Sequence, residues 1–335
     1  MGTHDKYHNS VGRNPDGSYY YIHGAFLGHV VPGTFFIVWG TWWMVAGFQF
    51  YLVSLANKQS FKSRSWYRWP WAPRVIQQLP LEPIVKVVLP SLGILGELWA
   101  GHESYRQLLA DNGTFQVDNL NDWQHSTMYL AFVTSGVVDL LGHFTQRLPA
   151  GTEHGFLSLA FVVQLLLLVF HLKGPGIEIM VHLILALQAR HRVAGIVVAT
   201  FAEVAHPQSI LMASVRPYLT ILQGVWWIQT AYIMYVSDPK WDPDSMAGTM
   251  MAPVVLAVHM LWIAFASLSV LLVMRVLYER VTGRALPLPA AAAGTAGTAA
   301  TKNGFGPLPQ DDSAEVVELD VEMSALMGHK HQRVV

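Results

Sequence analysis

Seven side chains able to carry a proton or hold a metal stand inside, or at the ends of, long apolar runs: His29, Glu97, His125, His171, Glu178, His182 and His259. Ionisable groups are costly in hydrocarbon and commonly mark a site or an ion pair there. Imidazole nitrogen and carboxylate oxygen are ordinary zinc ligands, at about 2.0–2.2 Å. The chain contains no Cys, which excludes thiolate catalysis, disulfides and cysteine metal sites. A divalent metal would therefore be held by His and carboxylate; magnesium would ask for more oxygen, so zinc is the favoured cofactor. Glu178 and His182 are four residues apart and share a helix face. That spacing places the carboxylate to orient the imidazole through its other ring nitrogen. There is no GxxxxGKS/T, GxSxG or HExxH motif.

Positioning these groups requires membrane helices. The chain has 335 residues, of which 13% are charged and 52% hydrophobic; soluble domains carry roughly 25% charged residues. Its net charge is −1, so no global basic field calls for nucleic acid. Membrane lipids are the expected partners, and a second copy of the chain is left open. A span needs about 20 mostly apolar residues. Seven stretches qualify, near 25–55, 84–102, 125–145, 155–173, 177–205, 208–237 and 250–279. The fifth carries Arg190-His191-Arg192 at its middle and reads either as one long helix or as a broken segment. The expected fold is all-α, a polytopic membrane protein with a seven-transmembrane-helix bundle over 25–281. Residues 1–24 form a polar N-terminal segment, and 282–335 an Ala/Gly/Pro-rich, then acidic, tail expected to be disordered.

Helices alternate in direction, so starts of odd spans and ends of even spans share one membrane face. All seven candidate ligands fall on that face. His125, Gly136, Asp139 and His143 form a stripe on the third span, expected to face the bundle interior. At the opposite end Asp139, Glu203 and Arg216 are expected to gather as a structural ion-pair set. Lys58, Lys62, Arg64, Arg68 and Arg74 follow the first span, and Arg275, Arg280 and Arg284 close the last. The positive-inside rule then puts the C-terminus in the cytoplasm and the N-terminus outside or in a lumen. Asn112-Gly113-Thr114, a glycosylation sequon, lies in an outer loop under that orientation. Tryptophans interleave the basic 58–74 loop, which beside a membrane helix favours anionic headgroups over RNA.

Gly28-His29-Val30-Val31-Pro32-Gly33-Thr34-Phe35-Phe36 and Asp122-Trp123-Gln124-His125-Ser126-Thr127-Met128-Tyr129-Leu130 resemble two segments of the transmembrane protein 45 family. Ser135-Gly136-Val137-Val138-Asp139, Glu203-Val204 and Leu222-Gln223-Gly224-Val225-Trp226 follow in the same order, so the resemblance covers about 25–280. It implies a seven-span fold and leaves molecular activity undefined. Lys173, Glu178 and Met180 stand where the resemblance leads one to expect His, Asp and His, and Gln188 to Arg192 reads as a short insertion.

Three functions stay open on the residues. One is a membrane protein whose His/Glu cluster binds a structural or regulatory divalent metal. Another is a zinc-dependent lipid amide hydrolase, similar in logic to alkaline ceramidases, with Glu97 or Glu178 as general base. The last is a transporter or proton relay along the polar stripes.

Overall fold

The computed structural model describes residues 11–13, 15, 19–21, 26–68, 79–99, 106–116, 119–170, 203, 206–236, 241 and 246–287. The fifth expected span (Glu203 excepted), the tail beyond Pro287, and His171, Glu178 and His182 lie outside them. A short antiparallel pair, β1 (Val11–Arg13) and β2 (Tyr19–Tyr21), precedes the helices, with Gly12 opposite Tyr20. The helices are α1 (Phe26–Ala56), α2 (Leu81–Trp99), α3 (Leu120–Thr145), α4 (Thr152–Phe170), α5 (Ile210–Tyr235) and α6 (Met246–Thr282).

Local chemistry sets several of their ends. Ser209 caps α5, its hydroxyl accepting from the Met212 amide at 3.3 Å. Gln146 closes α3 in the left-handed conformation and its amide donates to the Gly142 carbonyl. Prolines inside α1, α2, α5 and α6 (Pro32, Pro90, Pro217 and Pro253) are far commoner in membrane helices than in soluble ones, because neighbours re-satisfy the freed carbonyls.

Among the described residues, α1, α3 and α6 are long and apolar enough to cross a membrane. Two others fall short of that standard for a visible reason: α2 carries Glu82, Lys86 and Glu97 in 19 residues, and α5 holds Arg216 and several polar side chains. α4 has an apolar run too, from Thr152 to Leu168. α6 leaves most of its apolar surface uncovered, with Leu261 72% and Phe265 63% exposed. A surface of that kind needs hydrocarbon or another protein against it.

α1 packs most extensively on α5, and α3 on both α2 and α4. The α1–α5 contact depends on glycine. A Cβ on Gly33 would lie 2.8 Å from the Gly224 carbonyl oxygen, and one on Gly224 would lie 2.5 Å from the Gly33 oxygen. The two backbones touch there, as small residues permit in membrane helix pairs. Trp226 is fully buried in the cluster around Met128, Leu168 and Ile233; Trp43, Leu157 and Phe161 form a second cluster with Tyr67.

The basic connection after α1 is not spread over a surface. Phe61, Ser65 and Tyr67 are buried, and the Arg64 guanidinium lies 4.1 Å from the centroid of the Phe50 ring. This connection closes one end of the bundle.

Candidate functional site

Three polar assemblies stand out among the described residues. At the end closed by the 57–68 connection, Arg216 is held from every side. Its Nε and Nη2 donate to Glu203 at 3.2 and 3.3 Å, and its Nη1 and Nη2 to the Ser65 and Arg64 carbonyls at 3.3 and 2.6 Å. The guanidinium also lies 4.4 Å from the Trp43 ring centroid, and His154 Nε2 is 3.7 Å from Glu203. This is a satisfied structural clasp. The expected trio is corrected: Asp139 does not join Glu203 and Arg216.

Asp139 instead pairs with Lys86, whose Nζ donates to Oδ2 at 2.6 Å; the side chains are 0% and 1% exposed. One turn earlier on α2, Glu82 accepts from the indole N–H groups of Trp39, Trp42 and Trp43 and from the Tyr67 amide. Neither Lys86 nor Glu82 was singled out by sequence. Two signals were present: a lone lysine inside an apolar stretch, and three tryptophans at i, i+3 and i+4, hence on one helix face.

At the far ends of α2 and α3, His125 Nδ1 lies 3.4 Å from Glu97 Oε1. These are the expected site residues that the structure brings together. His29 stands against Trp227 and Tyr235, with ring centroids 5.5 and 5.6 Å away. His259 is half-buried on α6, and its Nδ1 has no hydrogen-bond partner among the described residues. Among the described residues no three His, Asp or Glu side chains gather as a metal-ligand group. His29 and His259 therefore do not complete a ligand set with the pair.

A cavity of about 430 Å³ links the second and third assemblies. Lys86 lines one end and His125 the other, with Phe36, Trp39, Phe132, Phe161 and Trp227 among its apolar walls. Eleven residues separate Lys86 from Glu97 on α2, about 16 Å along the axis at 1.5 Å per residue. The cavity is thus an elongated aromatic slot with a polar group at each end. Gly28 lies on its rim, where a Cβ would meet nothing within 4 Å. Gln164 and Thr220 supply further polar atoms to its wall. Trp227 is over nine-tenths buried and its indole N–H finds no acceptor among the described residues.

Residues 150–272 match a family model described as "Family of unknown function (DUF716)". Transmembrane epididymal protein 1 of Rattus norvegicus is 26% identical over 260 residues, which cover 74% of this chain and 80% of the relative. Transmembrane epididymal protein 1A of Mus musculus is 27% identical over 258 residues, with the same two shares, 74% and 80%. Transmembrane epididymal protein 1 of Homo sapiens is 29% identical over 133 residues, 38% of this chain and 47% of the relative. These matches correct the expected family: the likeness is to the family of unknown function and to transmembrane epididymal proteins, not to transmembrane protein 45. Of the segments that suggested the latter, Gly28–Phe36, Asp122–Leu130 and Ser135–Asp139 lie outside the matched 150–272 stretch, and Glu203-Val204 and Leu222–Trp226 lie inside it. The relatives' names and the long apolar helices together support a multi-pass integral membrane protein.

Proposed function

We propose that this multi-pass membrane protein binds one lipophilic molecule in the slot between α1, α2, α3, α4 and α5. The observation that carries the reading is the cavity of about 430 Å³, aromatic along its length and polar at its Lys86 and His125 ends. Cavities of roughly 300–1,000 Å³ with apolar walls and a few placed polar groups are the usual form of small-molecule sites, including those between helices of bundles. An acyl or polyene chain fits the walls, and a single polar head fits either end. Under this proposal the chain forms a seven-span bundle over 25–281 that folds without residues 288–335, its N-terminus outside or lumenal and its C-terminus cytoplasmic.

The test uses the full chain in detergent and the tryptophans Trp39, Trp43 and Trp227 that line the slot. Dibromostearate, a tryptophan quencher, should quench saturably. Gly28→Phe at the rim and Thr220→Met in the wall should each weaken that binding about tenfold, or about 1.4 kcal/mol. Unsaturable quenching, equal in all three proteins, would sink the proposal.

A metal reading retains one observation in its favour, the His125–Glu97 pair. A carboxylate on one ring nitrogen is the usual second partner of a metal-bound imidazole, with the other nitrogen ligating. His171 and His182 would be the further ligands, with Glu178 beside them. Metal analysis of the purified full chain and of His125→Ala tests it: equal zinc content in both would exclude His125 as a ligand.

A further inference from the structure

The two buried cations among the described residues are held very differently. Arg216 spends its donors on a carboxylate and two carbonyls and lies over an indole. Lys86 makes one hydrogen bond among the described residues, to Asp139 Oδ2. Arginine is the residue suited to a purely structural buried pair, because its planar fork satisfies several acceptors at once. Lysine at such a place offers what arginine does not, a primary amine that becomes a nucleophile once its proton is taken. Lys86 is the one lysine in the six described helices, and it lines the cavity. Asp139 is fully buried, and its second oxygen, Oδ1, accepts no hydrogen bond from the described residues.

We infer that Lys86 captures a long-chain lipophilic aldehyde as a Schiff base, with Asp139 as proton shuttle and counter-ion. This deepens the proposed lipophilic site and rests on it. The chemistry closes on these two side chains and the aldehyde. Asp139 Oδ2 takes a proton from the ammonium, and the freed nitrogen lone pair attacks the carbonyl carbon. The C–N bond forms as the carbonyl π pair moves to oxygen, which receives the proton held by Asp139. The carbinolamine then loses its hydroxyl as water, using one of the protons on nitrogen carried across by the same carboxylate. The C–O bond breaks and a protonated imine remains. Ammonium plus aldehyde has become iminium plus water, and the charge is +1 on both sides. The Asp139 carboxylate therefore faces a cation before and after, and no buried charge loses its partner. That conservation matters here, because leaving one member of a buried pair alone is strongly destabilising. The slot extends about 16 Å from the amine, enough for an extended hydrocarbon chain lying along the aromatic walls.

The experiment treats the detergent-purified full chain with equimolar hexadecanal, reduces with sodium cyanoborohydride and maps the modified lysine by mass spectrometry. Lys58 and Lys62 are exposed and report background reaction. The expected result is an adduct at Lys86 at least about tenfold above those two lysines. Asp139→Asn should lower that adduct, and Lys86→Arg, which keeps the cation, should remove it. Adducts spread evenly over Lys58, Lys62 and Lys86, or none at Lys86 with quenching intact, would overturn the inference and leave the lipophilic site standing. Loss of both the adduct and saturable quenching in the unaltered chain would overturn both.

Discussion

Replacing Gly224 by alanine should separate two neighbouring helices that both line the slot. The new Cβ would sit 2.5 Å from the Gly33 carbonyl oxygen and 2.7 Å from the Ile37 amide nitrogen. Ordinary contact begins at 3.4 Å, so α1 and α5 must part by about 0.9 Å at this point. Both obstructing atoms are backbone, and no side-chain rotation relieves them. Overpacking of this kind costs about 1–3 kcal/mol. Alanine returns at most about 1 kcal/mol of helix propensity. Gly28→Ala is the matched control, since its Cβ would meet nothing within 4 Å. Thermal unfolding of the detergent-purified proteins should place Gly224→Ala about 1–2 kcal/mol below the parent and Gly28→Ala at or slightly above it. Dibromostearate binding should weaken in the former alone. Equal stability of the two variants would refute the claim that the backbones touch at Gly33 and Gly224.

Arg216→Lys keeps the charge beside Glu203 but cannot reach the Arg64 and Ser65 carbonyls as well. It should lower stability by about 2–4 kcal/mol in a chemical or thermal melt. The Tyr67 hydroxyl, in the connection after α1, is pushed up from 10.0 to about 12, chiefly by burial. Tyrosine in the unfolded chain ionises first, so this contribution is full below about pH 10 and is lost as pH rises to about 12. Stability against pH should show that loss in the parent and not in Tyr67→Phe. Asn112 should carry a glycan if its loop is outer or lumenal. Endoglycosidase treatment should shift the parent on a gel and not Asn112→Gln, and an unshifted parent would argue for the reverse orientation.

Much of the frame was legible in the residues. Runs of apolar side chains located α1, α3 and α6 to within a few residues, because a membrane span needs about 20 of them in a row. Glu203 with Arg216, and Glu97 with His125, were also readable, since helix parity places like ends together. Asp139 was misassigned. Its partner, Lys86, lies one helix over, and the choice between Arg216 and Lys86 depends on how α2 and α3 are rotated, which periodicity on a single chain leaves open. Glu82 escaped notice because its meaning comes from three indoles on another helix. The slot itself has no sequence signature: its walls come from five helices, and its width follows from close approaches such as Gly33 on Gly224. The family was misread from five short segments, two of which, Glu203-Val204 and Leu222–Trp226, lie inside the stretch that matches the family of unknown function.

The central claim, that one lipophilic molecule occupies the slot between Lys86 and His125, is tested most directly by counting. Native mass spectrometry of the full chain released from detergent, with stearate added, should show a single bound molecule. That species should be depleted in Gly28→Phe and Thr220→Met. A ladder of adducts with no preferred number, unchanged in both variants, would contradict the account.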